Sequence, residues 1–265
     1  MEKLEHPLWI VHVVNALFGP AVAAMLRPLG FEFAPGAEVI PPYLVMCALI
    51  VLFLAVLSLL LRSRLSVEQP GKLQIVMEDL VAALLDMTRS TIGEKGPRYL
   101  PLVGTIGLFI FVANQMGKIP GLMSPTANIN VTLGCALTVW VYYHLQGVKE
   151  QGLFVYLKHF AAPPGAPIFI APIMLPIEVI SHLSRVMSLS IRLFGNIFGE
   201  ELVVLILASI VPFLVPLPMI LLGLITSTLQ AFIFVMLTMI YLAGAVHTEH
   251  EDVQREHGEA HAYAT

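Results

Sequence analysis

From Leu202 to Val246 the chain runs for 45 residues without one charged side chain. Soluble domains carry about 25% charged residues, whereas this sequence of 265 residues is 12% charged and 57% hydrophobic. A stretch of this kind is solvated by lipid, where every backbone N–H and C=O must find its partner within the spanning structure. The expected fold is therefore an all-α integral membrane protein. Pro212, Pro216 and Pro218 divide the run, so it reads as two helices joined by a turn. The first continues backwards, giving a helix over 172–211. The second covers 219–247. Prolines are absent from 177 to 210, and a helix there is about 50 Å long at about 1.5 Å per residue. The hydrocarbon core is about 30 Å thick. The pair is expected to form a long hairpin, tilted in the membrane.

The remaining spans follow from the same reasoning. Residues 1–42 are broken by Pro20, Pro28 and Pro35, and Trp9, Val13 and Leu17 make one face of a short interfacial helix. Residues 43–61 lack charge and suffice for a first transmembrane helix. In 62–98, Leu73, Val76, Met77, Leu80, Leu84 and Met87 recur at helical spacing among acids, as in an amphipathic surface helix. Further transmembrane helices are expected at 99–117 and 128–147, with a polar connection at 148–171. Arg62, Arg64, Lys72, Arg89, Lys95 and Arg98 place 62–98 in the cytoplasm, and Lys149 and Lys158 do the same for the later connection. Five crossings result, with the N-terminus outside and the C-terminus inside. Tyr99, Trp140, Tyr142 and Tyr143 suit an interfacial aromatic belt.

Other classes are set aside by composition. A net charge of −4 leaves no nucleic-acid footprint. Cys47 and Cys135 lie in separate apolar segments and read as free thiols. No cofactor motif is visible, and no phosphate-cradling glycine loop. His247, at the end of the last helix, and His250, His257 and His261 in the tail 248–265 fit a metal site or, more simply, a solvated tail. The N-terminal residues resemble neither a cleavable signal nor a transit peptide. A bacterial plasma (inner) membrane is the expected location.

Arg192 is the chemical focus. A guanidinium at membrane depth costs roughly 2.5 kcal/mol or more, and it cannot shed its proton. Ser181, Ser184 or Arg185, Ser188, Arg192, Gly195, Asn196 and Gly199 recur every three or four residues as one stripe. Two readings fit that stripe. One is ordinary close helix packing. The other is a face turned to a moving helix that bears a carboxylate. Glu178 lies about 21 Å along the same helix and Glu201 about 13 Å the other way, with Glu200 beside it. None reaches Arg192 along one straight helix. Acids on opposite membrane sides of a fixed cation are what two aqueous half-pathways require. Gln230 suits either a hydrogen bond to the guanidinium or a plain interhelix contact. Asn114, Gln115, Asn128, Asn130 and Thr132 suit either a hydrated vestibule or helix caps.

Three segments carry a family resemblance. The stretch Ser188–Leu202, with Arg192-Leu193-Phe194-Gly195-Asn196 and Glu201, resembles the signature of subunit a of rotary F-type ATP synthases. So do Leu229-Gln230-Ala231-Phe232-Ile233-Phe234 with Leu237-Thr238 and Tyr241-Leu242, and Pro125 to Leu133. The resemblance implies a proton-translocating stator subunit with no catalysis of its own. Arg192 becomes the arginine that faces the carboxylates of the c-subunit ring. Glu178 falls on the cytoplasmic half-channel, and Asn196, Glu201 and Gln230 lie near the arginine or the external half-channel. Asn128 and Asn130 line the external entry. Implied partners are the c-ring, b-type peripheral stalk subunits, the soluble ATPase sector and the lipid bilayer. One position departs from the pattern: Gly223 stands where some relatives carry a His or an acid, so Glu201, alone or with Glu200, serves that pathway here. A secondary transporter is disfavoured by the absence of any inverted repeat. A purely structural scaffold would tolerate loss of Arg192.

Overall fold

The computed structural model describes residues 9–29, 38–119, 121–156, 171–210 and 216–246. Parts of the expected N-terminal segment and of the 148–171 connection, the turn after residue 210 and the histidine-bearing tail lie outside the described residues. Among the described residues all regular structure is helical. The helices are α1 (Trp9–Leu26), α2 (Pro42–Ser63), α3 (Lys72–Ile92), α4 (Leu100–Met116), α5 (Ile129–Gln151), α6 (Ala171–Ile210) and α7 (Pro216–Val246), with short 3-10 turns at Arg27–Leu29, Gly96–Tyr99 and Pro125–Ala127.

Among the described residues four stretches are long and apolar enough to cross a bilayer: Pro42–Ser63, Gly96–Met116, Pro172–Ile210 and Pro216–Val246. Helix α5 is long enough at 23 residues. It is not among the four because Asn130, Thr132, His144, Gln146, Lys149 and Glu150 dilute its apolar run. Helix α6 holds 40 residues, about 60 Å at helical rise. Pro176 lies inside it, within the first two turns, where few intrahelical bonds remain to be broken. Two helix ends need glycine. Gly93 after α3 and Gly152 after α5 have φ of 88° and 82°, the left-handed conformation that closes a helix at little steric cost. Their N–H groups donate to the Arg89 and Val148 carbonyls.

The chain divides into two compact units. The first comprises the described residues within Met1–Gln74, Leu108–Val131 and Leu193–Ala231. In it α1 packs on α2 through Val11, Val45 and Met46, flanked by Ile10 and Val14. The Trp9, Val13 and Leu17 face points away from this contact, with Trp9 and Leu17 each about 70% exposed. Asn15 fixes the approach: its amide donates to the Ile40 carbonyl at 3.0 Å and accepts from the Ile40 N–H at 2.9 Å. The outward apolar residues of α2, among them Leu52, Phe53 and Leu59, suit lipid as solvent.

The second unit comprises the described residues within Ile75–Gly107, Thr132–Arg192 and Phe232–Thr265. Gly107 lets α4 meet α7, since a Cβ there would lie 2.6 Å from Val235 Cγ2. Gly147 on α5 does the same beside Tyr156 and the Ala245 carbonyl. Tyr99 and Tyr143 are 0% and 2% exposed, so these two belong to the interior rather than to an interfacial belt. On α3 the expected apolar face at Leu73, Val76 and Leu80 is exposed.

Candidate functional site

The expected acids fall in both units, Glu200 and Glu201 in the first and Glu178 in the second. In the first unit, α4 ends at Met116 and Lys118 follows in the turn. Lys118 forms an ion pair with Glu200 of α6, both side chains being nearly buried. Its ammonium also donates to Ser227 Oγ on α7 at 2.9 Å, and Ser227 Oγ donates to Glu200 Oε2 at 3.2 Å. A closed triangle of cation, hydroxyl and carboxylate results. The Glu200 carboxylate occupies the space that a side chain at position 223 would need, so a Cβ on Gly223 would overlap it. Glycine at 223 and glutamate at 200 are thus two halves of one packing solution.

Glu201 points to the other side of the same cluster. Its Oε1 lies 2.8 Å from where a Cβ on Gly117 would stand, a position that would also crowd Ser124. A hydrogen-bonded frame holds this region. Ser124 Oγ donates to the Ala113 carbonyl at 2.9 Å, Thr126 Oγ1 donates to Asn114 Oδ1 at 2.8 Å, and Asn114 Nδ2 donates to the Ser227 carbonyl at 3.2 Å. Gln115 donates to Thr228 Oγ1 at 2.9 Å. Its Oε1 is buried and takes no protein donor among the described residues. Such an acceptor is ordinarily satisfied by an ordered water.

In the second unit Glu178 and His182 stand one turn apart on α6, with Oε1 and Nε2 at 3.2 Å. The other ring nitrogen of His182, Nδ1, is hydrogen-bonded to the Tyr143 hydroxyl at 2.7 Å. His144 lies beside them, its ring centroid 4.8 Å from that of His182 and its Nδ1 2.6 Å from the Tyr156 hydroxyl. The Arg185 guanidinium sits 5.2 Å above the Tyr241 ring, a cation–π placement. Thr132 and Ser190 join α5 to α6 through their hydroxyls at 3.0 Å.

Arg192 ends the second unit's share of α6. Its side chain is exposed and donates to Ser188 Oγ, one turn back, at 3.3 Å. Gly195 and Gly199 follow on the same helix, and a Cβ at either would meet no other atom within 4 Å. Among the described residues these glycines therefore leave their face of α6 low and unpacked.

The expected residues fall as follows. Glu200 and Glu201 come together in the first unit with Lys118, Ser124 and Ser227. Gln230 is buried in that unit at 5% exposure, and Asn196 is half-buried on α6. Asn128 accepts the Asn130 N–H at 3.0 Å, the geometry of a helix cap at the start of α5. The Asn130 side chain is exposed. Glu178 belongs to the second unit. Lys118, His182, Tyr143, His144 and Tyr156 were not among the expected site residues. The four-residue spacing of Glu178 and His182 was the available signal. Lys118 had none, because its partner lies 82 positions away.

Comparison with known proteins agrees with the motifs. The family described as ATP synthase A chain matches residues 43–243. The chain is 46% identical over 226 residues to ATP synthase subunit a of Citrifermentans bemidjiense, covering 85% of this chain and 94% of that protein. It is 45% identical over 235 residues to ATP synthase subunit a 3 of Pelobacter propionicus, covering 88% and 98%. Geobacter sulfurreducens ATP synthase subunit a is 45% identical over 202 residues, or 76% of this chain and 86% of that one.

Proposed function

This chain belongs to the ATP synthase subunit a family, and from that premise we propose that it is the stator of a proton-driven rotary motor. It conducts protons through two half-channels and turns a ring of c subunits past Arg192. Its membrane is a bacterial inner membrane, with the N-terminus outside and the C-terminus in the cytoplasm. Helix α5 is its fifth crossing, and α6 and α7 form a tilted hairpin. It performs no chemistry on nucleotides; that belongs to the soluble ATPase sector, held in register through b-type stalk subunits.

The observation that carries this reading is the exposed guanidinium of Arg192, on a helix whose Gly195 and Gly199 are, by themselves, also open among the described residues. A permanent cation that turns away from its own chain needs a carboxylate from elsewhere, and the glycines let a partner helix approach closely. The ring carboxyl, neutral when protonated, can enter lipid; as a bare carboxylate it cannot. Attraction to the Arg192 guanidinium favours its ionised form, so the proton leaves where the carboxyl meets the arginine. The cation also bars protons from passing directly between the half-channels.

The external half-channel is assigned to the first unit's cluster, with Asn128, Asn130, Asn196 and Gln230 along it. Of the two acids there, Glu201 is the carrier. Glu200 is committed to Lys118 and Ser227, which holds it in place. Glu178 serves the cytoplasmic half-channel. Each proton crossing a 100 mV potential releases about 2.3 kcal/mol, so several are required per ATP.

The test is proton pumping by inverted vesicles that carry Arg192→Ala in the assembled complex, with ATP added. Pumping is expected to vanish while the subunit remains incorporated. Arg192→Lys is expected to fail too, because a flexible point charge does not replace a planar guanidinium. Unchanged pumping would return Arg192 to a structural role.

A further inference from the structure

Glu178 is the acid expected on the cytoplasmic side, yet its geometry here involves a second titratable group. His182 is 8% exposed and reaches the Glu178 carboxylate through Nε2 at 3.2 Å. Its opposite nitrogen is held by the Tyr143 hydroxyl at 2.7 Å. Tyr143 itself is 2% exposed and packs its ring on His144 at 4.4 Å. The imidazole is thus fixed at both ends, with one nitrogen presented to a carboxyl group.

Resting on the reading that Glu178 serves the cytoplasmic half-channel, we infer that Glu178 and His182 together form a shared-proton site, with Tyr143 as its positioning residue. When the His182 Nδ1–H donates to the Tyr143 oxygen, Nε2 is left with its lone pair towards Glu178. The hydrogen bond at one nitrogen selects the tautomer at the other. A proton arriving on the Glu178 carboxyl moves from Oε1 to Nε2, leaving a carboxylate beside an imidazolium. Its return to Oε1, or release from Nε2 to water, restores both groups. One proton enters, one leaves, and no bond other than O–H and N–H changes. The imidazole gives the proton a second acceptor beside the carboxyl group, within hydrogen-bonding distance.

The other groups that face the site are Arg185 on α6, its guanidinium over Tyr241 of α7, and His144 on α5 with its partner Tyr156. Neither tyrosine needs to ionise. Each hydroxyl can donate and accept.

The experiment uses inverted vesicles holding the whole complex, so that the cytoplasmic face meets the buffer. ATP-driven pumping is followed as the outer pH is varied for wild type, His182→Gln, Tyr143→Phe and Arg192→Ala. His182→Gln retains hydrogen bonding but cannot titrate. It is expected to slow pumping on the order of tenfold and to remove one limb of the pH–rate profile. Tyr143→Phe, which keeps the ring packing, is expected to lower the rate while shifting that limb without abolishing it. A His182→Gln complex with wild-type rate and profile overturns the inference, provided that Arg192→Ala abolishes pumping in the same vesicles. Pumping that survives Arg192→Ala instead overturns the reading on which the inference rests. Should His182→Gln fail to assemble, Tyr143→Phe decides alone: an unmoved limb overturns the shared-proton site.

Discussion

In the first unit Glu200 is held by a lysine and a serine, and in the second Glu178 is held by an imidazole that a tyrosine anchors. Lys118 is bonded to both the Glu200 carboxylate and Ser227, so it immobilises its acid. His182 has two ring nitrogens, one on the Tyr143 hydroxyl and one facing the carboxylate, so it does not lock its acid as a lysine does. An acid held by an ion pair is fixed in place, whereas one facing an imidazole nitrogen has a second acceptor for a proton beside it. The difference also explains why two adjacent glutamates at 200 and 201 are not redundant: one is committed to the lysine, the other is not.

Removing one partner of the locked pair should produce the largest effect. Lys118→Met leaves the Glu200 carboxylate nearly buried without its cation, and stranding a charge in this way costs about 3 kcal/mol or more. The melting temperature of the detergent-solubilised complex is expected to fall sharply, and Lys118→Met with Glu200→Leu to regain most of the loss. In the second unit His182→Gln should cost only about 1 kcal/mol, the worth of a neutral hydrogen bond. Equal losses at the two sites would dissolve the contrast drawn above.

Gly223→Ala comes next. Its methyl group would occupy the position of the Glu200 carboxylate, and overpacking of this kind costs about 1–3 kcal/mol. Combined with Glu200→Ala, the same methyl group finds room, so the double variant should melt above the sum of its single losses. A strictly additive pair would mean that Glu200 does not stand over position 223.

Much of the helical architecture was legible because lipid simplifies the code. Runs such as 43–61 and 219–247 lack charge, and a chain in lipid has little choice but to coil. Arg192 stood out for the same reason, as a cation where charge is costly. What stayed hidden was paired across long sequence distances. Lys118 reads as a loop residue until its partner at 200 is brought beside it. Tyr99 and Tyr143 read as interfacial because aromatic residues near span ends usually are; burial of Tyr99 edge-on to Tyr142, and of Tyr143 against Tyr241 with its hydroxyl on His182, outweighed that tendency. Helix α5 hid its role in the opposite way. The polar residues that lower its apolarity, Thr132 and His144 among them, are those that bond within the second unit.

A smaller effect sharpens the comparison from the apolar side. The second unit's tight contact at Gly107 meets a valine methyl group rather than a carboxylate. Gly107→Ala is expected to cost about 1 kcal/mol, measured as the same melting shift. Val235→Ala in the same chain should recover part of it by making room. A loss as large as that of Gly223→Ala would show that charge adds nothing to the steric cost at 223.

The smallest effect lies at the edge of the second cluster and appears only in alkali. Tyr156 follows Gly152 in the connection beyond α5, and burial pushes its hydroxyl up from the ordinary value near 10 to about 12. In the unfolded chain the phenol loses its proton near pH 10, whereas in the folded chain it keeps it to about pH 12. Between these values the unfolded state binds fewer protons, so stability must fall as pH rises. Below pH 10 both states hold the proton and the contribution is constant. Tyr156→Phe removes this titration, so the complex should lose stability less steeply between pH 10 and 12 than wild type does. At neutral pH the variant should instead be weaker by about 1 kcal/mol, for the lost hydrogen bond to His144. The two melting curves should therefore converge as pH rises, and parallel curves would mean that Tyr156 is not buried against His144 in the assembled protein.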